Sequence, residues 1–280
     1  MLPPIVSNFI AGESVSGAME YVEEANENEI SVILNLLGEH HSTTKEITQD
    51  VTTYRSMVDQ ITASEYNACL SVKPSQLGID IDAAVFDQHL RDVVSDAAAN
   101  DVFTWVDMED STTTDATLQS VINVAEDHAE QIGVCLQANL RRTPEDIEKL
   151  ANLPVRVRLV KEAYDESEEI AYQSRAEIDE AYRDCITKAF EEHGERVAIG
   201  THDRTMIDHA IAMHEQTGTE LELQFLMGVR MDLQRELAKE YPVWQYAPFG
   251  DDWIQYFYRR VRERKENAFF AARAVVDQFL

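Results

Sequence analysis

Basic residues are scarce in this chain of 280 residues, which carries 24 lysines and arginines against 52 aspartates and glutamates. The formal net charge at pH 7 is therefore -28. Proteins bind nucleic acids mainly through cations that neutralise phosphates, so we expect no nucleic-acid partner. The acidic residues are spread along the chain rather than gathered in a tail. Such a surface suits a cytoplasm with a high salt concentration, because salt screens the repulsion between like charges, and we expect a halophilic protein.

Proline, glycine and cysteine are also few, at 7, 10 and 3 residues. Flexible linkers and all-β folds with many turns need more proline and glycine than this. The cysteines have no CxxC spacing and are expected to pack in a core within a reducing compartment. The first residues show no basic segment followed by an apolar one, and no apolar run reaches about 18 residues. We therefore expect neither a signal peptide nor a membrane-spanning helix, and predict a cytoplasmic protein.

Several motifs of well-known enzyme classes are missing. The sequence has no GxGxxG turn, no Walker A loop and no GxSxG elbow. His40 and His41 are adjacent, and His202 and His209 have no third ligand near them in the sequence. No metal site is therefore predicted.

Short apolar runs alternate with longer amphipathic segments along the chain. Strands are predicted at 30–37, 67–73, 102–107, 133–137, 155–161, 196–201, 220–225 and 243–247. Helices are predicted at 14–28, 43–60, 82–99, 114–130, 143–151, 166–192, 203–216, 228–240 and 251–264. This alternation predicts an α/β fold, a closed (β/α)8 barrel of the TIM type, with residues 1–280 in a single domain, an extra N-terminal helix and the last helix over the barrel mouth. An open doubly wound sheet is the alternative, but its usual glycine-rich turn is absent.

Polar side chains follow the predicted strands at their carboxyl ends, where barrel enzymes carry their chemistry. Lys73 ends the second strand, Asp107 the third and Lys161 the fifth. Lys161 has two open interpretations, a Schiff-base lysine or a cation that holds an anionic cofactor. Asp107 has three, namely a general base, an ion-pair partner of Lys73 or a helix-capping acid.

Arg259 and Arg260 lie in the last predicted helix. Adjacent helical residues point about 100° apart, so one guanidinium can face the barrel mouth while the other braces it. A guanidinium is well suited to bind a carboxylate. The alternative is a solvated basic patch with Arg262, Arg264 and Lys265.

Taken in order, the strand ends resemble the proline dehydrogenase family, over a stretch from about residue 8 to about residue 270. Each segment alone is weakly diagnostic, but all of them in this order are specific. The similar segments include Leu36-Leu37-Gly38-Glu39, Ser71-Val72-Lys73-Pro74, Asp107-Met108-Glu109-Asp110, Gln137-Ala138, Arg158-Leu159-Val160-Lys161, Thr201-His202-Asp203, Gln224-Phe225-Leu226, and Tyr246 with Tyr256, Arg259 and Arg260.

The resemblance implies a distorted barrel that holds FAD at its mouth and oxidises L-proline to Δ1-pyrroline-5-carboxylate. Hydride would pass from C5 of the substrate to N5 of the flavin, and the electrons would go to a quinone. Such a protein would meet the inner face of the cell membrane transiently. A separate pyrroline-5-carboxylate dehydrogenase would then use the product.

The resemblance also assigns roles to residues at matching positions. Asp107 would pair with Lys73 and orient the site, and Arg158 would lie near flavin N5. The substrate carboxylate would be bound by Lys73, Arg259 and Arg260. The substrate ring would be packed against the flavin by Leu226, Tyr246 and Tyr256. The remaining FAD contacts would be Met108, Gln137, Lys161, Glu162, Ala163, Thr201, His202 and Gln224.

Three positions depart from the family's usual pattern. Glu162 stands where a glycine is usual, and it would place bulk and negative charge near FAD. Asn35 replaces a common aspartate, and Asn139 replaces a common aromatic residue. The first hypothesis is the proline dehydrogenase that the resemblance implies. Glu162 keeps open a second, a degenerate, non-catalytic family member that binds a ligand or partner. A Schiff-base lyase that uses Lys161 is the third.

Overall fold

The structure, a computed structural model, describes residues 6–164, 166–193, 196–254 and 256 of the chain. These residues contain the strands β1 (Ser31–Leu36), β2 (Ala68–Val72), β3 (Thr104–Val106), β4 (Ile132–Gln137), β5 (Arg156–Val160), β6 (Val197–Gly200), β7 (Leu221–Leu226) and β8 (Val243–Phe249). All eight join in chain order into one closed barrel, and each neighbouring pair is parallel, including β1 with β8. The predicted (β/α)8 barrel is therefore confirmed.

Helices alternate with these strands and surround the barrel. They are α1 (Val15–Asn26), α2 (Thr44–Thr62), α3 (Ala83–Ala98), α4 (Thr114–Ala125), α5 (Thr143–Leu150), α6 (Arg175–Glu192), α7 (Arg204–Thr217) and α8 (Met231–Leu237). The extra helix α1 precedes β1, as predicted, and packs beside β1 and α2.

Several helices begin where the sequence supplies a capping side chain. Ser14 accepts a backbone N–H at the start of α1, and Asp203 does the same for α7. Thr43 and Glu46 form a reciprocal capping box at α2. These caps satisfy N–H groups that have no partner within the helix, and so they fix where each helix starts.

The predicted helix 166–192 is wrong in its first part, because α6 begins only at Arg175. Ser174 and Glu177 form the capping box that starts it. The preceding segment is a loop that bridges to Leu140 through Ala171. The acidic residues of this loop fit the composition of either a helix or a loop, so composition could not place the boundary. The predicted helix 251–264 lies mostly outside the described residues.

An apolar cluster occupies the middle of the barrel interior, and polar side chains follow it toward the carboxyl ends of the strands. Ile33, Trp105 and Cys69 belong to one buried apolar cluster. Side chains two positions apart on a strand share a face, so the next interior layer begins with Asn35, Ser71 and Asp107. This polar layer lies directly below the barrel mouth.

Gly133 on β4 leaves the space that the ring of Trp105 fills. A Cβ at Gly133 would lie 2.6 Å from Cζ3 of that ring, which is closer than side chains tolerate. Trp105 is therefore fixed as the floor of the polar layer.

Cys69, Cys135 and Cys185 are buried free thiols, as predicted. In the ranges that the structure describes, no helix combines the length and the apolar character needed to span a membrane.

Candidate active site

Asp107 and Arg158 form an ion pair at the mouth end of the barrel interior. Asp107 directly follows β3, and Arg158 lies in the middle of β5. Arg158 Nη2 donates to Asp107 Oδ1, and the two side chains are only 5% and 13% exposed, respectively. Ser71 Oγ donates to the same oxygen, and the Tyr246 hydroxyl donates to Oδ2, both at 2.7 Å. Three other strands, β2, β5 and β8, thus hold this one carboxylate.

These neighbours determine the charge of Asp107. Burial raises the pKa of the carboxyl group, but the positive charges of Arg158 and Lys73 and the hydrogen bonds from Ser71 and Tyr246 together outweigh burial. The pKa of Asp107 consequently lies below its ordinary value. An anion of such low basicity suits an ion-pair partner better than a general base.

Tyr246 is the neutral donor in this group. Burial raises the pKa of its hydroxyl well above the ordinary value, and the adjacent Asp107 carboxylate raises it further. The hydroxyl therefore keeps its proton and donates a hydrogen bond to the carboxylate. The ring centroid lies 5.8 Å from Arg158 Cζ, and that of Trp105 lies 5.1 Å from the same atom. Both rings are within the range of cation–π attraction, which helps to fix the guanidinium.

Lys73, which follows β2, is connected to Asp107 through Asn35. Lys73 Nζ donates to Asn35 Oδ1 at 2.6 Å, and Asn35 Nδ2 lies 3.5 Å from Asp107 Oδ2. The ammonium also helps to lower the pKa of Asp107, so the two predicted partners do interact electrostatically. The observed ion pair of Asp107, however, is with Arg158, and the sequence did not predict that pairing. Asn35, noted only as a departure from the family pattern, is completely buried at this connection.

Glu109 holds the turn that follows Lys73, and sequence reasoning missed it. Its two carboxylate oxygens accept hydrogen bonds of 2.7 Å from the backbone N–H and the hydroxyl of Ser75. Gln76 in the same turn donates to Leu36 O at 2.9 Å. Burial raises the pKa of Glu109, although the two bonds from Ser75 oppose that effect. Its position two residues after Asp107 could have indicated a place at the barrel mouth. Many acidic residues of this chain are solvated, however, so an acidic residue at that position is not diagnostic.

Gln137 ties two loops of the mouth together. Its Nε2 donates to Glu109 O at 2.7 Å, and its Oε1 accepts from the backbone N–H of Ala163 at 2.9 Å. The side chain is almost completely buried. A contact between Gln137 and FAD stays a prediction, but a role in shaping the loops is evident from the geometry.

Lys161 lies between two carboxylates. Its Nζ forms ion pairs with Asp179 on α6 and, at 2.7 Å, with Asp203, the N-cap of α7. Burial raises the pKa of Asp203, but the hydrogen bond and the charge of Lys161, together with the backbone N–H groups of Thr205 and Met206, outweigh burial and lower the pKa. A Schiff-base lysine needs an amine that is free to attack a substrate carbonyl group, whereas Nζ of Lys161 is engaged by two carboxylates. This arrangement does not favour the lyase interpretation.

The other predicted cofactor residues lie around the mouth. Glu162 and Ala163 are exposed, whereas Met108 and Thr201 are buried. His202 Nε2 accepts the backbone N–H of Leu226 at 3.3 Å, which links the ends of β6 and β7. Gln224 is buried below Leu226, and its Oε1 accepts from Arg158 Nη1 at 3.3 Å.

The predicted substrate-binding residues are only partly described. Leu226 and Tyr246 are half-buried at the mouth. Tyr256 packs against a small cluster that includes Ile10 and Leu37. Arg259 and Arg260 lie outside the described residues.

The residues at this mouth fit a flavin. A flavin ring requires a cation or hydrogen-bond donor at its polar edge and apolar surface over its faces. Arg158 is a fixed cation at the mouth end, and Leu226, Tyr246 and Ala163 offer apolar surface. No group of three metal-ligating side chains occurs in the part of the chain that the structure describes.

Comparison with known proteins gives a consistent result. Residues 18–273 match the model of the family described as proline dehydrogenase. The chain is 33% identical over 274 residues to proline dehydrogenase 1 of Bacillus subtilis (strain 168), covering 96% of this chain and 90% of that protein. It is 32% identical over 280 residues to proline dehydrogenase of Deinococcus radiodurans, covering 97% and 90%.

Solved structures share the fold. Proline utilization A (PutA) from Bdellovibrio bacteriovorus, in a structure inactivated by N-propargylglycine, superposes with a TM-score of 0.82 at 23% identity. The match covers 91% of this chain but only 32% of that protein, so this chain spans about a third of its length. From the family match and the two relatives, the chain belongs to the proline dehydrogenase family of enzymes.

Proposed function

We propose that the protein oxidises L-proline to Δ1-pyrroline-5-carboxylate with FAD, hydride leaving C5 of the substrate for N5 of the flavin, and that a quinone takes the electrons. The observation that carries this proposal is the fixed group of Asp107, Arg158 and Tyr246 at the mouth of a barrel of this family. The group combines a cation that is shielded from solvent with an aromatic ring, and both lie beside the buried ring of Trp105. Hydride transfer requires such a dry and oriented setting.

Lys73 supports the binding of a substrate carboxylate. Its ammonium is held at 2.6 Å by the neutral amide of Asn35, so that contact does not cancel its charge. In the proposal, Lys73 attracts the carboxylate together with Arg259 and Arg260. Tyr246, Leu226 and Tyr256 then pack the substrate ring.

The cofactor would be held at the mouth by Arg158 and by the strand ends around it. When bound, FAD supplies the acceptor for the two electrons. Arg158 would stabilise negative charge at the flavin edge, because its guanidinium is fixed and shielded from water. The other proposed contacts are Met108, Gln137, Lys161, Glu162, Ala163, Thr201, His202 and Gln224.

The proposal extends to the setting of the enzyme. The acidic composition supports a halophilic protein, and we propose that the protein is cytoplasmic and that residues 1–280 form one barrel domain. Electrons that pass to a quinone imply transient contact with the inner face of the cell membrane. The product would be oxidised further by a separate pyrroline-5-carboxylate dehydrogenase.

Product analysis tests the proposed reaction. Purified protein with FAD in high salt is given L-proline and a soluble quinone without oxygen, and the cyclic imine is trapped with o-aminobenzaldehyde. We expect trapped product in equal amount to reduced quinone. Binding of FAD and proline without product would favour the degenerate family member. A borohydride-stable adduct at Lys161 without flavin would favour the lyase.

A further inference from the structure

Glu222 on β7 is a buried acid that the proposed reaction does not use. Glu222 is only 1% exposed. It lies in the barrel interior two positions before Gln224, on the same face of β7. Its Oε1 accepts a hydrogen bond of 2.6 Å from Gln224 Nε2. Gln224 Oε1 in turn accepts from Arg158 Nη1 at 3.3 Å. A continuous chain therefore runs from the barrel interior to the ion pair at the mouth.

The direction of these bonds depends on Glu222. An ionised carboxylate only accepts hydrogen bonds, so it attracts the NH2 group of Gln224. The carbonyl oxygen of the same amide must then point to the other side, toward Arg158. A rotated amide would place NH2 against the guanidinium, and two donors would face each other.

Arg158 gains a second fixed point from this arrangement. Asp107 holds Nη2, and Gln224 holds Nη1. Bonds to two different nitrogen atoms define the plane of a guanidinium group, which one bond alone does not. The rings of Trp105 and Tyr246 lie beside the group thus oriented.

Cations near Glu222 offset part of the cost of burying it. Arg196 Nη1 lies 3.9 Å from Glu222 Oε2, although Arg196 pairs more closely with Glu220 at 2.6 Å. Burial raises the pKa of Glu222 above its ordinary value, although the bond from Gln224 and the charges of Arg196, Arg156 and Arg158 oppose that effect. The charge of Glu222 in turn helps burial to raise the pKa of the Cys69 thiol. The hydrogen bond from Gln224, at 2.6 Å, is much shorter than the 3.9 Å contact of Glu222 with Arg196.

We propose that Glu222 is a positioning residue that orients Arg158 through the amide of Gln224. It would touch neither the substrate nor the flavin. The inference rests on the proposed function, because it assigns Glu222 to the reaction in which Arg158 takes part. It differs from a packing role in requiring an acceptor at position 222 rather than merely a side chain of the right volume.

Two substitutions at this position separate the acceptor from the volume. Glu222→Met keeps the volume but removes the acceptor, and we expect flavin reduction by L-proline to slow about tenfold, as for loss of one hydrogen bond in a charged network. Glu222→Gln restores a carbonyl acceptor, and we expect it to recover most of that rate. A packing role predicts equal rates in both variants and the wild type, once both are shown to be folded.

A double-mutant cycle tests the route through Gln224. If Glu222 acts through that amide, Glu222→Met combined with Gln224→Met is no slower than Gln224→Met alone. Effects that multiply in the double variant would overturn the proposal. Stability of each variant against urea is measured in parallel, so that loss of folding is not mistaken for loss of orientation.

Crystal structures of the wild type and Glu222→Met give a readout that does not need turnover. We expect the guanidinium of Arg158 to leave its present plane in the variant and to stay in it in Glu222→Gln. An unmoved Arg158 in Glu222→Met would contradict the inference. If the wild-type protein fails to oxidise proline, the proposed reaction is wrong. The crystal structures still show whether Glu222 orients Arg158.

Discussion

The Tyr246 hydroxyl donates a hydrogen bond of 2.7 Å to the Asp107 carboxylate across the barrel mouth, from β8 to the residue that follows β3. It joins the strand that closes the barrel to the ion pair of Asp107 with Arg158. The ring that would pack the substrate is therefore fixed by the same carboxylate that holds the cation.

Removing this hydroxyl should slow the reaction without unfolding the protein. In Tyr246→Phe the ring stays, but Asp107 loses one donor. A hydrogen bond to a charged group is worth about 1.5 to 3 kcal/mol, so kcat/KM for L-proline should fall at least about tenfold. Steady-state rates with a soluble quinone as electron acceptor measure this change in kcat/KM.

Tyr66→Phe is the matched control, since the Tyr66 hydroxyl also donates to a carboxylate, that of Glu23, but on the surface at 2.6 Å. It should leave kcat/KM unchanged. Equal rates for Tyr246→Phe and the wild type would show that the bond across the mouth has no part in the reaction.

Breaking the buried ion pair should cost stability. Asp107→Asn leaves the guanidinium of Arg158 without its counter-charge, and we expect the free energy of unfolding to drop by about 3 kcal/mol. Urea denaturation in high salt measures the change. Asp115→Asn removes an ion pair with Arg142 in which Asp115 is 83% exposed, and it should cost less than about 1 kcal/mol. Similar losses in both variants would mean that the buried pair contributes no more than the exposed one.

The stabilisation from Asp107 should depend on pH in a defined direction. Its pKa in the folded protein lies below the ordinary value of about 3.9. Its contribution is therefore complete above that value and is lost as the pH falls through the pKa of the folded state. The gap in unfolding free energy between the wild type and Asp107→Asn should be constant from about pH 8 to pH 5 and shrink below about pH 4. A gap that widens in acid would contradict the lowered pKa.

The departure at Glu162 should affect the binding of FAD. Glu162 is exposed at the mouth beside Ala163, and its charge would oppose an anionic cofactor. Glu162→Gly should strengthen FAD binding by the apoprotein a fewfold, as for a single exposed charge, with a higher flavin reduction potential. Flavin fluorescence titration measures the dissociation constant. Glu169→Gly, an exposed residue of the same loop, controls for added chain flexibility, and an equal effect there would remove any special role for Glu162.

The strands and most helices could be predicted because they depend on local information. Each strand of the barrel is buried on both faces, so it appears in the sequence as a short apolar run. Capping residues such as Ser14 mark several helix starts. The first part of 166–192 could not be assigned in this way, because its loop is held by distant partners, such as Leu140 for Ala171.

The positions of polar residues at the strand ends could be predicted better than their connections. Asp107 stood out as a polar residue at the end of a strand, and the family resemblance added Arg158 and Tyr246. The pairing of Asp107 with Arg158 joins positions that are far apart in the chain, and no spacing rule predicts it. Asn35 and Glu109 link other residues, and Glu222 ends the chain of hydrogen bonds that runs through Gln224 to Arg158. A single sequence does not distinguish such buried groups from solvated ones.

The most direct test of the account is the visible spectrum of the purified protein, reconstituted with FAD in high salt, before and after anaerobic addition of L-proline. We expect the visible absorption band of the oxidised flavin to bleach when proline is added and to recover when a quinone is added. A flavin band that proline leaves unchanged, or a protein that takes up no FAD, would contradict it.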